Sequence, residues 1–147
     1  MASHTEPSNK TAQRKLEQLH IPLREDVEAK HASTFFEYVH LVHNALPELD
    51  FNEVDTSTTF LGHSFSAPLL IDAITGGIRE AKKINSTLAR AAEQFKIGMV
   101  MGSQRAGLES EEAAETYSVA RRNAPTAFLA ANLGGVELAR GLPLDDA

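Results

Sequence analysis

Cysteine is absent from the chain. That excludes a disulfide framework, a thiolate nucleophile and a cysteine-based metal centre. It also suits a reducing compartment. Long apolar runs are missing too: none approaches the ~20 residues a helix needs to span a bilayer. The opening stretch, MASHTEPSNKTAQRK, has no apolar region of the kind found in secretory signals. Both absences predict a cytoplasmic protein with no membrane partner. An excess of basic charge is lacking as well. The formal net charge is -6, whereas nucleic-acid-binding surfaces are normally basic, so nucleic acid is not an expected partner. The GxSxG, Walker A, HExxH and GxGxxG patterns do not occur.

What remains is enough for a sizeable core, since 42% of the 147 residues are apolar. Residues 1–12, rich in Ser, Thr, Asn and Lys, are expected to be disordered. Residues 13–147 read as one domain. A short helix is expected over Gln13–His20, with Leu16 and Leu19 on one side, and Pro22 opposes its continuation. The stretch His31–Leu46 is apolar without a clean period and reads as irregular packing segments. His40 and His43 have the spacing of a helical pair. With no third ligand nearby, each is better read as a core or hydrogen-bonded histidine than as a metal ligand. Thr58–Leu61 and Ser64–Ser66 flank Gly62-His63 and suggest a small hairpin.

From Pro68 onward, short apolar runs alternate with helical patterns. Leu69 to Ile74 reads as a strand buried on both faces. A helix follows with Ile84, Leu88, Ala91, Ala92 and Phe95 on one face. Gly98–Met101 is a second strand. Ser110 is a plausible N-cap for a helix that starts with Glu111 and Glu112 and is stopped by Pro125. Ala127–Ala131 is a third strand. Short strands alternating with helices predict an α/β fold with a parallel sheet and right-handed crossovers.

Each of the three runs ends in small, hydroxyl, amide or glycine residues. In a parallel α/β sheet those ends converge where phosphates and cofactors bind. Ala73-Ile74-Thr75-Gly76-Gly77 offers a hydroxyl and unshielded backbone, either to cradle a phosphate or flavin edge or simply to make a tight turn. In Ser103-Gln104-Arg105 the forked guanidinium suits a phosphate, or it pairs with Glu109 or Glu111. Asn132 could bind a heterocycle edge or cap its loop. Arg14-Lys15 could close over an anion or be an ordinary solvated pair. Singly these are weak signals; together they are stronger.

The ordered set Arg14-Lys15, Val42 to Glu48, Phe60-Leu61-Gly62, Ser66-Ala67-Pro68, Thr75-Gly76-Gly77, Ile84-Asn85, Gly102 to Arg105, Ala124-Pro125 and Ala131 to Gly134 resembles the N-terminal half of the type 2, FMN-dependent isopentenyl-diphosphate isomerases. The resemblance runs from about Arg14 to Gly141. It implies a TIM (β/α)8 barrel. It implies that Ala73, Ile74, Thr75, Gly76, Ser103 and Asn132 face FMN. It further implies that Arg14, Lys15, Ser103, Gln104 and Arg105 bind the substrate diphosphate. The implied reaction converts isopentenyl diphosphate to dimethylallyl diphosphate with reduced FMN, NADPH as reductant and Mg2+, in a homo-oligomer. The catalytic acid–base chemistry is attributed to the flavin, so no catalytic side chain is assigned and no metal ligand is expected in this chain.

There are two departures from the family pattern. Ile74 stands where the family usually has methionine, and Glu17 and Gln18 stand where it often has histidine. A TIM barrel also takes ~250 residues. About three βα units are therefore expected here: a truncated barrel, inactive alone. The alternatives are another FMN-dependent TIM-barrel oxidoreductase, or a non-catalytic half-barrel that needs a partner chain.

Overall fold

The computed structural model describes residues 9–139. The element order is α1 (Asn9–Arg24), β1 (Thr58–Phe60), β2 (His63–Phe65), β3 (Leu70–Ile71), α2 (Arg79–Phe95), β4 (Gly98–Ser103), α3 (Arg105–Glu109), α4 (Glu111–Asn123), β5 (Leu129–Asn132) and α5 (Gly135–Ala139). The strands β3, β4 and β5 form a parallel sheet in that order, joined by helical crossovers. This is the expected alternation, and it supplies part of a (β/α)8 barrel. Among the described residues, no helix is long and apolar enough to cross a membrane.

The core lies between this sheet and one layer of helices. Met99 and Met101 point from β4 into a cluster with Ala89 and Ala92 of α2 and with Tyr117 and Ala120 of α4. Small residues let α2 and α4 approach closely. The buried stripe of α2 is Ala81, Asn85, Ala89 and Ala92. The expected face was different: Ile84, Leu88 and Ala91 sit half-buried at its flank, and Phe95 is exposed. The larger side chains are displaced because the closest helix contact admits only alanine and one asparagine.

That asparagine ties the layers together. Asn85 is 2% exposed. Its Nδ2 donates to the carbonyl of Thr116 at 2.9 Å and to that of Thr75 at 3.3 Å. Thr116 Oγ1 in turn accepts from the Gly77 N–H at 2.7 Å. Ser110 caps α4 as expected, accepting from the Ala113 N–H at 3.3 Å. Glu111 and Glu112 occupy the first turn of that helix and Arg121 and Arg122 the last, both favourable to its dipole.

The opposite, N-terminal edge of the sheet is plugged by the hairpin. Its turn is Leu61-Gly62, one residue earlier than expected, with φ of 48° and 77°. Two left-handed residues in a two-residue loop fit the twist of the flanking strands. The hairpin carries Phe65 against Phe128, with ring centroids 5.7 Å apart, and His63 against Phe128 at 5.2 Å. The C-terminal edge is left for other work.

Several expectations need correction. The helix over Gln13–His20 runs from Asn9 to Arg24, so residues 9–12 are its first turn; residues 1–8 lie outside the described residues. Pro22 is accommodated because it stands in the final turn, where few hydrogen bonds follow it. The stretch His31–Leu46 is irregular but does not pack. Leu41 is 89% and Val42 97% exposed, and His40 and His43 are exposed rather than in the core. The strand expected to reach Ile74 pairs only over Leu70–Ile71 and is not buried on both faces: it is an edge strand, and Leu70 is 45% exposed. The strand β4 continues to Ser103, and β5 begins only at Leu129.

Two tests follow from this packing. A Cβ at Gly76 would fall inside the Tyr117 ring, so Gly76→Ala should cost roughly 1–3 kcal/mol in urea unfolding through overpacking. Tyr117 is 6% exposed. Burial, and then the nearby Glu109 carboxylate, push its hydroxyl up to about 12. The folded state thus keeps a proton that the unfolded chain loses near pH 10. This contribution is intact below pH 10 and lost between pH 10 and about 12, and Tyr117→Phe should remove that alkaline slope from the stability profile.

Candidate functional site

The open C-terminal edge gathers the three strand ends. After β3 the chain passes through Ala73–Gly77. Ile74 is 55% exposed, Ala73 is half-buried, and Gly76 and Gly77 are buried. Thr75 is 1% exposed, and its Oγ1 has no hydrogen-bond partner among the described residues. A buried hydroxyl left alone is costly. The two glycines serve packing directly. Gly77 has φ of 81°, and a Cβ on it would strike Ala106. Its N–H is already taken by Thr116.

The end of β4 lies beside this turn. A Cβ on Gly102 would come within 2.6 Å of the Thr75 carbonyl oxygen. Ser103 is the register partner of Asn132 on β5, with an irregularity between Val100 and Ser103. Gln104 N–H donates to the Asn132 carbonyl at 2.8 Å, and Gln104 Nε2 to the Gly102 carbonyl at 3.2 Å. Thr75, Ser103, Gln104 and Asn132 are therefore brought together as the strand pattern suggested. The Asn132 side chain is exposed and makes no hydrogen bond among the described residues.

Arg105 opens α3, an element the sequence did not announce. Its Nε meets Glu109 Oε1 at 3.2 Å, as one reading anticipated, and its second arm meets Glu137 Oε1 at 3.4 Å. It is a cation at this edge, held between two carboxylates. Arg14 is exposed on α1, while its neighbour Lys15 is only 5% exposed. Burial, and then the adjacent Arg14 charge, hold the Lys15 ammonium below its usual range. The pair is thus not an evenly solvated one. Ala12 and Leu16 of α1 line a cavity of about 480 Å3 together with Gly77, Ile78, Ser110 and Thr116, so α1 sits over the turn that follows β3.

Sequence reasoning missed the supports on the helix side. Tyr117 donates its hydroxyl to the Ser103 carbonyl at 2.7 Å, and Asn85 and Thr116 hold Thr75 and Gly77. The one available signal was a polar residue within an alanine stripe on α2. A separate cavity of about 450 Å3 between α4 and β5 is lined by Met101, Leu108, Ala120, Leu129 and Ala131. It includes Gln104 and the Tyr117 ring but none of Thr75, Ser103 and Asn132, and it is a groove of the helix layer. Chemically, the edge offers neutral hydroxyl and amide groups suited to a planar heterocycle, bordered by a cation suited to an anionic group.

Comparison with known proteins agrees with this geometry. The profile of a family described as FMN-dependent dehydrogenase matches residues 12–130. The isopentenyl-diphosphate delta-isomerase of Methanoregula boonei is 52% identical over 128 residues, covering 87% of this chain and 35% of that protein. That of Halobacterium salinarum is 50% identical over 133 residues, 89% of this chain and 36% of its own length. That of Chlorobium phaeovibrioides is 44% identical over 139 residues, 95% and 39% respectively. The chain thus spans little more than a third of the length of these relatives. On the profile match, the chain belongs to the FMN-dependent dehydrogenase family, whose fold is the TIM barrel.

Proposed function

We propose that this chain forms the strand-end part of the active site of an FMN-dependent isopentenyl-diphosphate isomerase. The observation that carries the reading is the junction of Thr75, Ser103 and Asn132 at one sheet edge, with Ser103 and Asn132 in register. The residues suit FMN. Thr75 Oγ1 is buried and unpartnered, and the Asn132 amide is free among the described residues. Ala73, Ile74, Thr75, Gly76, Ser103 and Asn132 would hold the cofactor. When bound and reduced, FMN would supply the acid–base chemistry of the allylic proton shift.

The chain's own residues then bind and orient. Arg105, with Gln104 and Ser103, would receive the diphosphate by exchanging carboxylate partners for phosphate oxygens. Arg14 would reach the same anion from α1. Lys15 would join it as the diphosphate offsets the cost of a buried ammonium. NADPH as reductant, Mg2+ as counter-ion, a homo-oligomer and a cytoplasmic setting complete the proposal. Activity belongs to a full barrel, because the relatives carrying that name are nearly three times as long as the matched span. The family profile is named for dehydrogenases, which favours another FMN-dependent oxidoreductase as the second reading. The isomerase names of relatives at 44–52% identity weigh more.

Incubating the complete protein with FMN, NADPH, Mg2+ and isopentenyl diphosphate should yield dimethylallyl diphosphate, observable by proton NMR, without stoichiometric loss of NADPH. Oxidation of a 2-hydroxy acid in place of that product would favour the second reading. In the active protein, Arg105→Gln should raise KM for the diphosphate by roughly tenfold or more, as expected for loss of a charge-assisted contact. An unchanged KM would remove Arg105 from the substrate site.

A further inference from the structure

From the helix side, Tyr117 reaches two of the three strand ends. Its hydroxyl donates to the Ser103 carbonyl at 2.7 Å. Its ring fills the space that a Cβ at Gly76 would need, and it lies 3.2 Å from where a Cβ on Gly107 in α3 would stand. The side chain is 6% exposed and sits in the main core cluster. It is therefore anchored below and touches the turn after β3, the end of β4 and the helix that carries Arg105.

The consequence concerns the direction of one peptide. A carbonyl at a strand end can turn toward the helices or toward the ligand edge. The hydroxyl fixes the Ser103 carbonyl on the helix side, and the next N–H, that of Gln104, is fixed to Asn132 at 2.8 Å. With both its carbonyl and its N–H tied, the Ser103–Gln104 peptide is held in one orientation at the end of β4. The Gly76 contact sets how far the turn after β3 stands from it. We propose that Tyr117 is a positioning residue for the cofactor: it acts through Ser103 and Gly76 and does not itself touch the flavin. The proposal rests on the reading of this edge as an FMN site.

The test is Tyr117→Phe, which keeps the ring and removes only the hydroxyl, with Val119→Ala on the same helix as a control. Val119 is buried, and its aliphatic side chain offers no hydrogen bond to the strand ends. FMN is titrated into each flavin-free protein while its fluorescence and visible absorption are followed. Tyr117→Phe should weaken FMN binding by roughly tenfold, in line with loss of one buried hydrogen bond, and shift the absorption band of the bound flavin. Val119→Ala should lower the melting temperature and leave both flavin readouts unchanged. Equal FMN affinity and spectrum in wild type and Tyr117→Phe would overturn the assignment, as would an equal loss of affinity in Val119→Ala. No FMN binding by the wild type would overturn the cofactor reading, and the assignment with it. If Tyr117→Phe fails to fold, the carbonyl-13C signal of Ser103 in the wild type decides. A shift on FMN addition supports the proposal, and an unmoved signal defeats it.

Discussion

Three backbone segments meet at the C-terminal edge of the sheet, and they meet closely because side chains are missing where the chains touch. A Cβ on Gly102 would press on the Thr75 carbonyl, one on Gly76 would enter the Tyr117 ring, and one on Gly77 would strike Ala106. Everything specific about the edge depends on those approaches. Thr75 is buried next to β4 because Gly102 lets it in. The turn after β3 can lie flat on α4 because Gly76 and Gly77 leave room for Tyr117 and Ala106. Glycine is costly in flexible chain entropy, and here that cost is offset by close packing.

Helices hold the edge from behind. Asn85 joins α2 to the carbonyls of Thr75 and Thr116, Thr116 takes the Gly77 N–H, and Tyr117 takes the Ser103 carbonyl. These bonds satisfy the strand-end backbone from the buried side, as buried polar groups require. The ligand side keeps side-chain groups: the Asn132 amide, Ser103 and the Arg105 guanidinium. The opposite edge is closed by the aromatic contacts of Phe60, Phe65 and Phe128. The division of labour along the strands is thus stability at one end, with the other end left for the recognition proposed here.

Much of this was legible in the sequence, for identifiable reasons. The alternation of short apolar runs with helical patterns gave the parallel sheet, and Ser110 with two following glutamates gave the start of α4. The strand ends were found because an apolar run that stops in glycine, serine or asparagine marks a strand entering a turn. Tertiary contacts hid the rest. The buried stripe of α2 consists of alanines and an asparagine, which carry little hydrophobic signal. Pro22 proved compatible with a helix because it falls in the last turn. The apolar residues of His31–Leu46 suggested packing, yet Phe35, Phe36, Leu41, Val42 and Leu46 are exposed here; composition cannot say whether a surface is covered. The pairing of Arg105 with Glu137 joins α3 to α5, far apart in sequence, and had no local cue.

The central claim is that one ligand edge is built from the ends of β3, β4 and β5. It is tested most directly by following backbone amide shifts of the protein during an FMN titration. The account predicts the largest changes at Ala73 to Thr75, Ser103, Gln104 and Asn132, with small changes in the groove between α4 and β5. Changes concentrated in that groove, or at the hairpin edge around Phe65 and Phe128, would contradict it.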